Sequence, residues 1–114
     1  MKLPFLDQAV IVPEKITRYL LARGHEGGGP KAVFFEGCGF SIERWELFAE
    51  ALKAHARTHD VAMTDATPFG TWYTVEGELD TPVGKRPLIR TDWFIDAGTS
   101  IPHLASAYPL RRRS

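Results

Sequence analysis

The hydrophobic pattern of the chain changes period once, near Thr58. Before that point apolar residues recur at helical spacing; after it they alternate with polar neighbours, as strands require. Leu3 to Val12 is mostly apolar and stops at Pro13, which predicts a short extended arm laid on the core. Pro13 suits the first turn of a helix, where a missing N–H costs no hydrogen bond. Ile16, Tyr19 and Leu20 at i, i+3, i+4 spacing predict an amphipathic helix from about Glu14 to Arg23, with Gly24 as its stop. Pro30 opens a second helix, Lys31 to Glu36, ending at Gly37 or Gly39. Ser41 is the natural N-cap of the strongest helix, whose apolar face Trp45, Leu47, Phe48, Ala51, Leu52 and Ala54 runs to about Ala56.

Beyond Thr58, Val61 and Met63 alternate up to a turn at Thr67 to Gly70. Tyr73, Val75 and Leu79 then oppose Trp72, Thr74, Glu76 and Glu78, and Thr81 to Lys85 closes that strand. Ile89, Thr91, Trp93 and Ile95 share one face of a third strand, with Arg90, Asp92 and Asp96 on the other. After a turn at Ala97 to Ser100, Ile101 to Leu110 makes a fourth. Short connections predict an antiparallel meander, and a sheet with one apolar face needs helices to cover it. The expectation is an α+β fold, N-terminal helices packed on a C-terminal antiparallel sheet of about four strands, in one domain over residues 1–114.

Composition narrows the classes of function. Fourteen basic against fourteen acidic side chains leave no net field to gather polyanions, which argues against a histone-like role. The cationic run Arg111-Arg112-Arg113 is either a solvated terminus or a set of phosphate contacts. One cysteine, Cys38, excludes an internal disulfide framework and multi-cysteine metal centres; in its apolar surroundings it reads as a buried, inert thiol. No apolar stretch approaches the ~20 residues of a membrane span and no signal-peptide layout opens the chain. A cytoplasmic protein without membrane contact is expected.

The local feature most suggestive of chemistry is His25 followed by Gly27-Gly28-Gly29 and then Lys31 at the head of a helix. Glycines let backbone N–H groups approach an anion, the helix N-terminus adds partial positive charge, and Lys31 adds a full one. The alternative is a plain helix–helix connection. The P-loop signature is missing, so nucleoside triphosphate hydrolysis is disfavoured. Metal-independent RNA cleavage needs a base for the 2′-hydroxyl, a cation for the phosphorane and an acid for the leaving oxygen. His25, Lys31, Arg90, Thr91, Ser106 and Tyr108 carry the required groups. The structural alternatives are cross-strand pairing of Arg90 with Glu76 or Glu78, a core-edge position for Thr91, and for Tyr108 that of an amphipathic core residue with a polar tip. His55 and His59 at i, i+4 lack a third zinc ligand and read as a solvated helix end; no metal or other cofactor is expected. Glu76 with Glu78 and Asp92 with Asp96 read as carboxylates on an exposed sheet face.

Leu3-Pro4, Lys15-Ile16, Tyr19 to Leu21, His25, Gly28, Lys31 to Phe35, Gly39-Phe40, Trp93 and Pro102 to Tyr108 together make a distributed pattern. In it the chain resembles the bacterial domain of unknown function family 6883 over nearly its whole length. It departs from that pattern at Leu21 to Gly24 and at Pro30. The layout is also similar to toxin modules of the barnase, colicin and RelE class of ribonucleases. That resemblance implies a toxin-like endoribonuclease with an RNA substrate and a small antitoxin or immunity partner. In it His25 would be the acid or base, and Lys31 and Arg90 the phosphate-binding cations. Two other classes compete: a non-enzymatic protein-binding module from a two-protein system, and a small-molecule binder using the glycine loop as an anion cradle.

Overall fold

Helix gives way to sheet where the hydrophobic period changes. The computed structural model describes residues 1–22 and 29–110. The first half holds α1 (Pro13–Lys15), which runs on into a π-helical segment (Ile16–Leu20), then α2 (Gly29–Gly37) and α3 (Trp45–Thr58). The second half is β1 (Val61–Thr67), β2 (Gly70–Glu78), β3 (Leu88–Asp96) and β4 (His103–Pro109). These pair antiparallel in one sheet of order β1-β2-β3-β4.

The first helix departs from the regular one its spacing predicts. Leu21 N donates to Ile16 O at 2.8 Å, an i to i+5 bond that widens the turn. The wider turn lets Ile16, Leu20 and Leu21 all bury, while Tyr19 stays half-buried at the side. The N-terminal arm is extended only in part, since Leu6–Gln8 makes a 3-10 turn. Its end runs parallel to β4: Val10 N donates to Pro102 O at 2.8 Å and Leu104 N to Val10 O at 3.1 Å.

Two expectations for α3 need correction. Ser41 makes no side-chain cap; it precedes a 3-10 turn, Ile42–Arg44, and α3 proper begins at Trp45. The buried face is carried by Phe48, Ala49, Leu52, His55 and Ala56, with Leu47 nearly half exposed. Phe48 lies between Phe35 of α2 and Phe40, at ring-centroid separations of 4.7 and 4.5 Å. Buried side chains of this size contribute roughly 2–3 kcal/mol each by leaving water, so the three rings hold α2, α3 and their connection together.

The sheet turns one face inward. Val75, Ile89, Thr91, Trp93, Leu104 and Ala107 are buried there, most of them in one hydrophobic cluster with the helices. At the β1–β2 turn a side chain cannot be accommodated. Gly70 has φ 154, and a Cβ on it would stand 2.3 Å from Ile95 O of β3.

β4 carries the irregularity that matters most. Trp93 faces Leu104, but the next residue, Asp92, faces Ser106, so Ala105 is an extra residue in β4. Strict alternation would put Ser106 on the same face as Leu104. The bulge turns it to the opposite, open face, level with Asp92 and next to Tyr108.

Candidate functional site

On the open face the register arranges side chains in rows across the strands. One row is Asp65, Trp72, Phe94 and His103; the next is Met63, Thr74, Asp92 and Ser106; the third is Glu76, Arg90 and Tyr108. Their positions follow from the period-2 alternation of β2 and β3 and from the bulge in β4.

Two cations converge on Tyr108. Arg90 donates through Nε to Glu76 Oε2 at 2.7 Å, through Nη2 to the same oxygen, and through Nη1 to Tyr108 Oη at 2.9 Å. Glu76 first, and the Tyr108 hydroxyl second, hold the guanidinium charge more firmly than usual. Lys31 reaches from α2 and donates to Tyr19 Oη at 2.7 Å and Ser106 Oγ at 3.1 Å. Its Nζ lies 5.6 Å from the centroid of the Tyr108 ring, and Arg90 Cζ lies 5.6 Å from the same centroid. The Lys31 hydrogen bond pulls the Tyr19 phenol below its ordinary pKa, against the opposing effect of burial.

Next to this cluster the open face is hollowed by a concavity of about 470 Å³, whose lining includes Trp72, Thr74, Asp92, Arg90 and Tyr108. Thr74 Oγ1 donates to Asp92 Oδ1 at 2.9 Å, and the Trp72 and Phe94 rings contact each other at 4.7 Å between centroids.

Four of the residues singled out from sequence therefore come together: Lys31, Arg90, Ser106 and Tyr108. Thr91 does not. It lies on the covered face with no exposure, its hydroxyl accepting from Trp93 Nε1 at 3.0 Å, because residue 91 alternates with Arg90 across the sheet. His25, Gly27 and Gly28 lie outside the described residues. Gly29 is buried at the start of α2, and Lys31 is directed at Tyr19 and Ser106.

Sequence reasoning missed Tyr19, which had been placed in the helix core, and read Glu76 only as a partner for Arg90 or an exposed carboxylate. It also put His55 on a solvated helix end. His55 is 2 % exposed, with Nε2 3.1 Å from Gly77 O and Nδ1 3.4 Å from Thr91 Oγ1. His59 Nδ1 stands 2.9 Å from His55 O, so the pair is tied to backbone and not splayed toward a shared ion. Among the described residues no three His, Cys, Asp or Glu side chains are grouped as metal ligands would be, and no helix is long and apolar enough to cross a membrane.

The fold is similar to a chain of a contact-dependent growth inhibition toxin–immunity protein complex from Klebsiella pneumoniae 342. The TM-score is 0.70 at 14% identity, covering 89% of this chain and 99% of that one. No curated protein matches the sequence. The model of the family described as Domain of unknown function (DUF6883) matches residues 2–111, and the chain belongs to that family.

Proposed function

We propose that the chain is a toxin-like, metal-independent endoribonuclease of a toxin–antitoxin or polymorphic-toxin system, restrained by a small antitoxin or immunity protein. The observation that carries this reading is the pair of cations gathered at one tyrosine, each with hydroxyl or carboxylate neighbours, at an open sheet face. Lys31 and Arg90 would bind the scissile phosphate and offset the charge of the phosphorane. Glu76, in contact with Arg90, would take the proton of the 2′-hydroxyl. Tyr19, whose phenol is acidified by Lys31, would donate a proton to the leaving 5′-oxygen. His25, the acid or base expected from the sequence, would serve one of these two transfers in place of Glu76 or Tyr19. The fold likeness to a chain of a toxin–immunity complex supports a place in a two-protein system.

The test is total RNA incubated with purified protein in excess chelator. Wild type should leave 2′,3′-cyclic phosphate ends, and Lys31→Ala and Arg90→Ala should not. Intact RNA with folded wild-type protein would overturn the reading.

A second reading, a non-enzymatic partner module, is favoured by one observation. Among the described residues β1 has a strand neighbour only on its β2 side, Ala62 to Ala66 are exposed along it, and Phe69 at its turn is 80% exposed. Such an edge can accept a strand from another protein. Binding of a partner with RNA left intact would favour it.

A further inference from the structure

The concavity next to the cation cluster differs from it in chemistry. Among its described lining residues Arg90 is the one cation, against two carboxylates, Asp65 and Asp92. A phosphate would be repelled there, whereas a neutral, flat, hydrogen-bonding group would not. Trp72 supplies an apolar face, 38% exposed and braced by Phe94 on the neighbouring strand. Aromatic side chains presented on an open sheet hold single-stranded nucleic acid by stacking on its bases.

The spacing suits one nucleotide. Trp72, Thr74 and Glu76 succeed one another on the same face of β2, so the aromatic, carboxylate and cation rows are each separated by about 7 Å. A nucleotide spans a comparable distance between its base and its phosphate. With phosphate on Arg90 and Lys31, the base falls over the Asp92 row, one step of about 7 Å away, and its far edge points toward Trp72, whose side chain lines the same concavity from the row beyond.

The carboxylates set which base fits. An ionised carboxylate only accepts hydrogen bonds. Asp92 is fixed by the bond from Thr74 to its Oδ1, and the Asp65 carboxylate makes no hydrogen bond or ion pair with the described residues. Adenine, cytosine and guanine each offer an exocyclic amino group to such an acceptor. Uracil presents two carbonyl oxygens flanking one N–H, and its oxygens would face the carboxylates.

We infer that this concavity is a subsite for one unpaired nucleobase carrying an exocyclic amino group, and that it rejects uracil. The inference rests on the ribonuclease reading for its substrate class, single-stranded RNA.

The test uses the full chain and fluorescently labelled 2′-O-methyl hexanucleotides of adenosine, cytidine and uridine, which cannot be cleaved through the 2′-oxygen, with binding read by anisotropy. The A and C oligomers should bind at least about 10-fold tighter than the U oligomer. Asp92→Asn, which can still accept from Thr74, should bring that ratio close to one. Trp72→Ala should weaken the A and C oligomers about 10-fold. Equal binding of all three by wild type, or an unchanged ratio in Asp92→Asn of unaltered melting temperature, would overturn the subsite. Unmodified RNA assayed in parallel separates the two readings. Cleavage without base discrimination leaves the nuclease and removes the subsite; discrimination without cleavage leaves the subsite and removes the nuclease.

Discussion

Lys31 Nζ donates a 3.1 Å hydrogen bond to Ser106 Oγ across 75 positions of sequence, joining the second helix to the far edge of the sheet. Neither residue would meet the other without the extra residue in β4, which turns Ser106 outward. The same ammonium also bonds Tyr19, so one cation gathers α2, the π-helical segment and β4 at a single point.

That convergence predicts a large functional cost and a small structural one for Lys31→Ala. Removing a cation that stabilises a phosphorane should lower kcat by about 100- to 1000-fold. The half-buried Lys31 hydrogen bonds should account for no more than about 1–3 kcal/mol of stability. Single-turnover cleavage and urea unfolding of the same preparation check both figures.

Tyr19→Phe keeps the ring beneath Lys31 and removes only the hydroxyl. If Tyr19 exchanges a proton with the leaving oxygen, cleavage should fall by about 100-fold. Because Lys31 holds the phenol below its ordinary pKa, the wild-type rate should fall on the alkaline side, as the phenol loses the proton it donates, at a pH below that at which free tyrosine ionises. That change should vanish in the variant. A pH–rate profile of both proteins tests this.

His55 predicts a pH-dependent stability. Burial lowers its pKa to about 4, with the nearby His59 ring acting in the same direction. The polar network suits a neutral ring: Trp93 Nε1 donates to Thr91 Oγ1, which can donate to His55 Nδ1, leaving Nε2–H for Gly77 O. The folded pKa lies below the unfolded one, so the folded state binds fewer protons. Stability is fully present above about pH 6.5 and is lost as pH falls from there toward 4, by an amount on the order of 3 kcal/mol. Denaturant titrations across that window should show the loss in wild type and a flatter curve in His55→Gln.

Gly70→Ala should destabilise the fold by about 2–4 kcal/mol, since its Cβ would press on the Ile95 carbonyl and the strand cannot move without breaking the β2–β3 ladder. Thermal unfolding measures it directly, and a melting temperature within a degree of wild type would contradict the argument.

Cys38 is 3% exposed and burial raises its pKa. An aromatic disulfide reagent should therefore leave the native protein unmodified for hours and react at once in denaturant.

The sequence by itself determined the order of elements. Period 3.6 before Thr58 and period 2 after it place helices first and strands second. Alternation along β2 and β3 assigned Val75, Ile89, Thr91 and Trp93 to the covered face and Glu76, Arg90 and Asp92 to the other. Short turns then made the meander. These are local properties, set by the backbone geometry of each segment. Only the tertiary structure decided which polar residues meet. Ser106 is outward because of a bulge that adds one residue to an otherwise regular strand, and no composition signal marks Ala105. Tyr19 faces Lys31 because a π-helical turn shifts the helix's buried side. His55, a polar residue on a helix end, is buried against the Gly77 carbonyl of β2, where the absence of a Gly77 side chain leaves room for the neighbouring His59 ring. In each case a side chain's neighbours lie far along the chain, and the contact forms only once the core has fixed both elements.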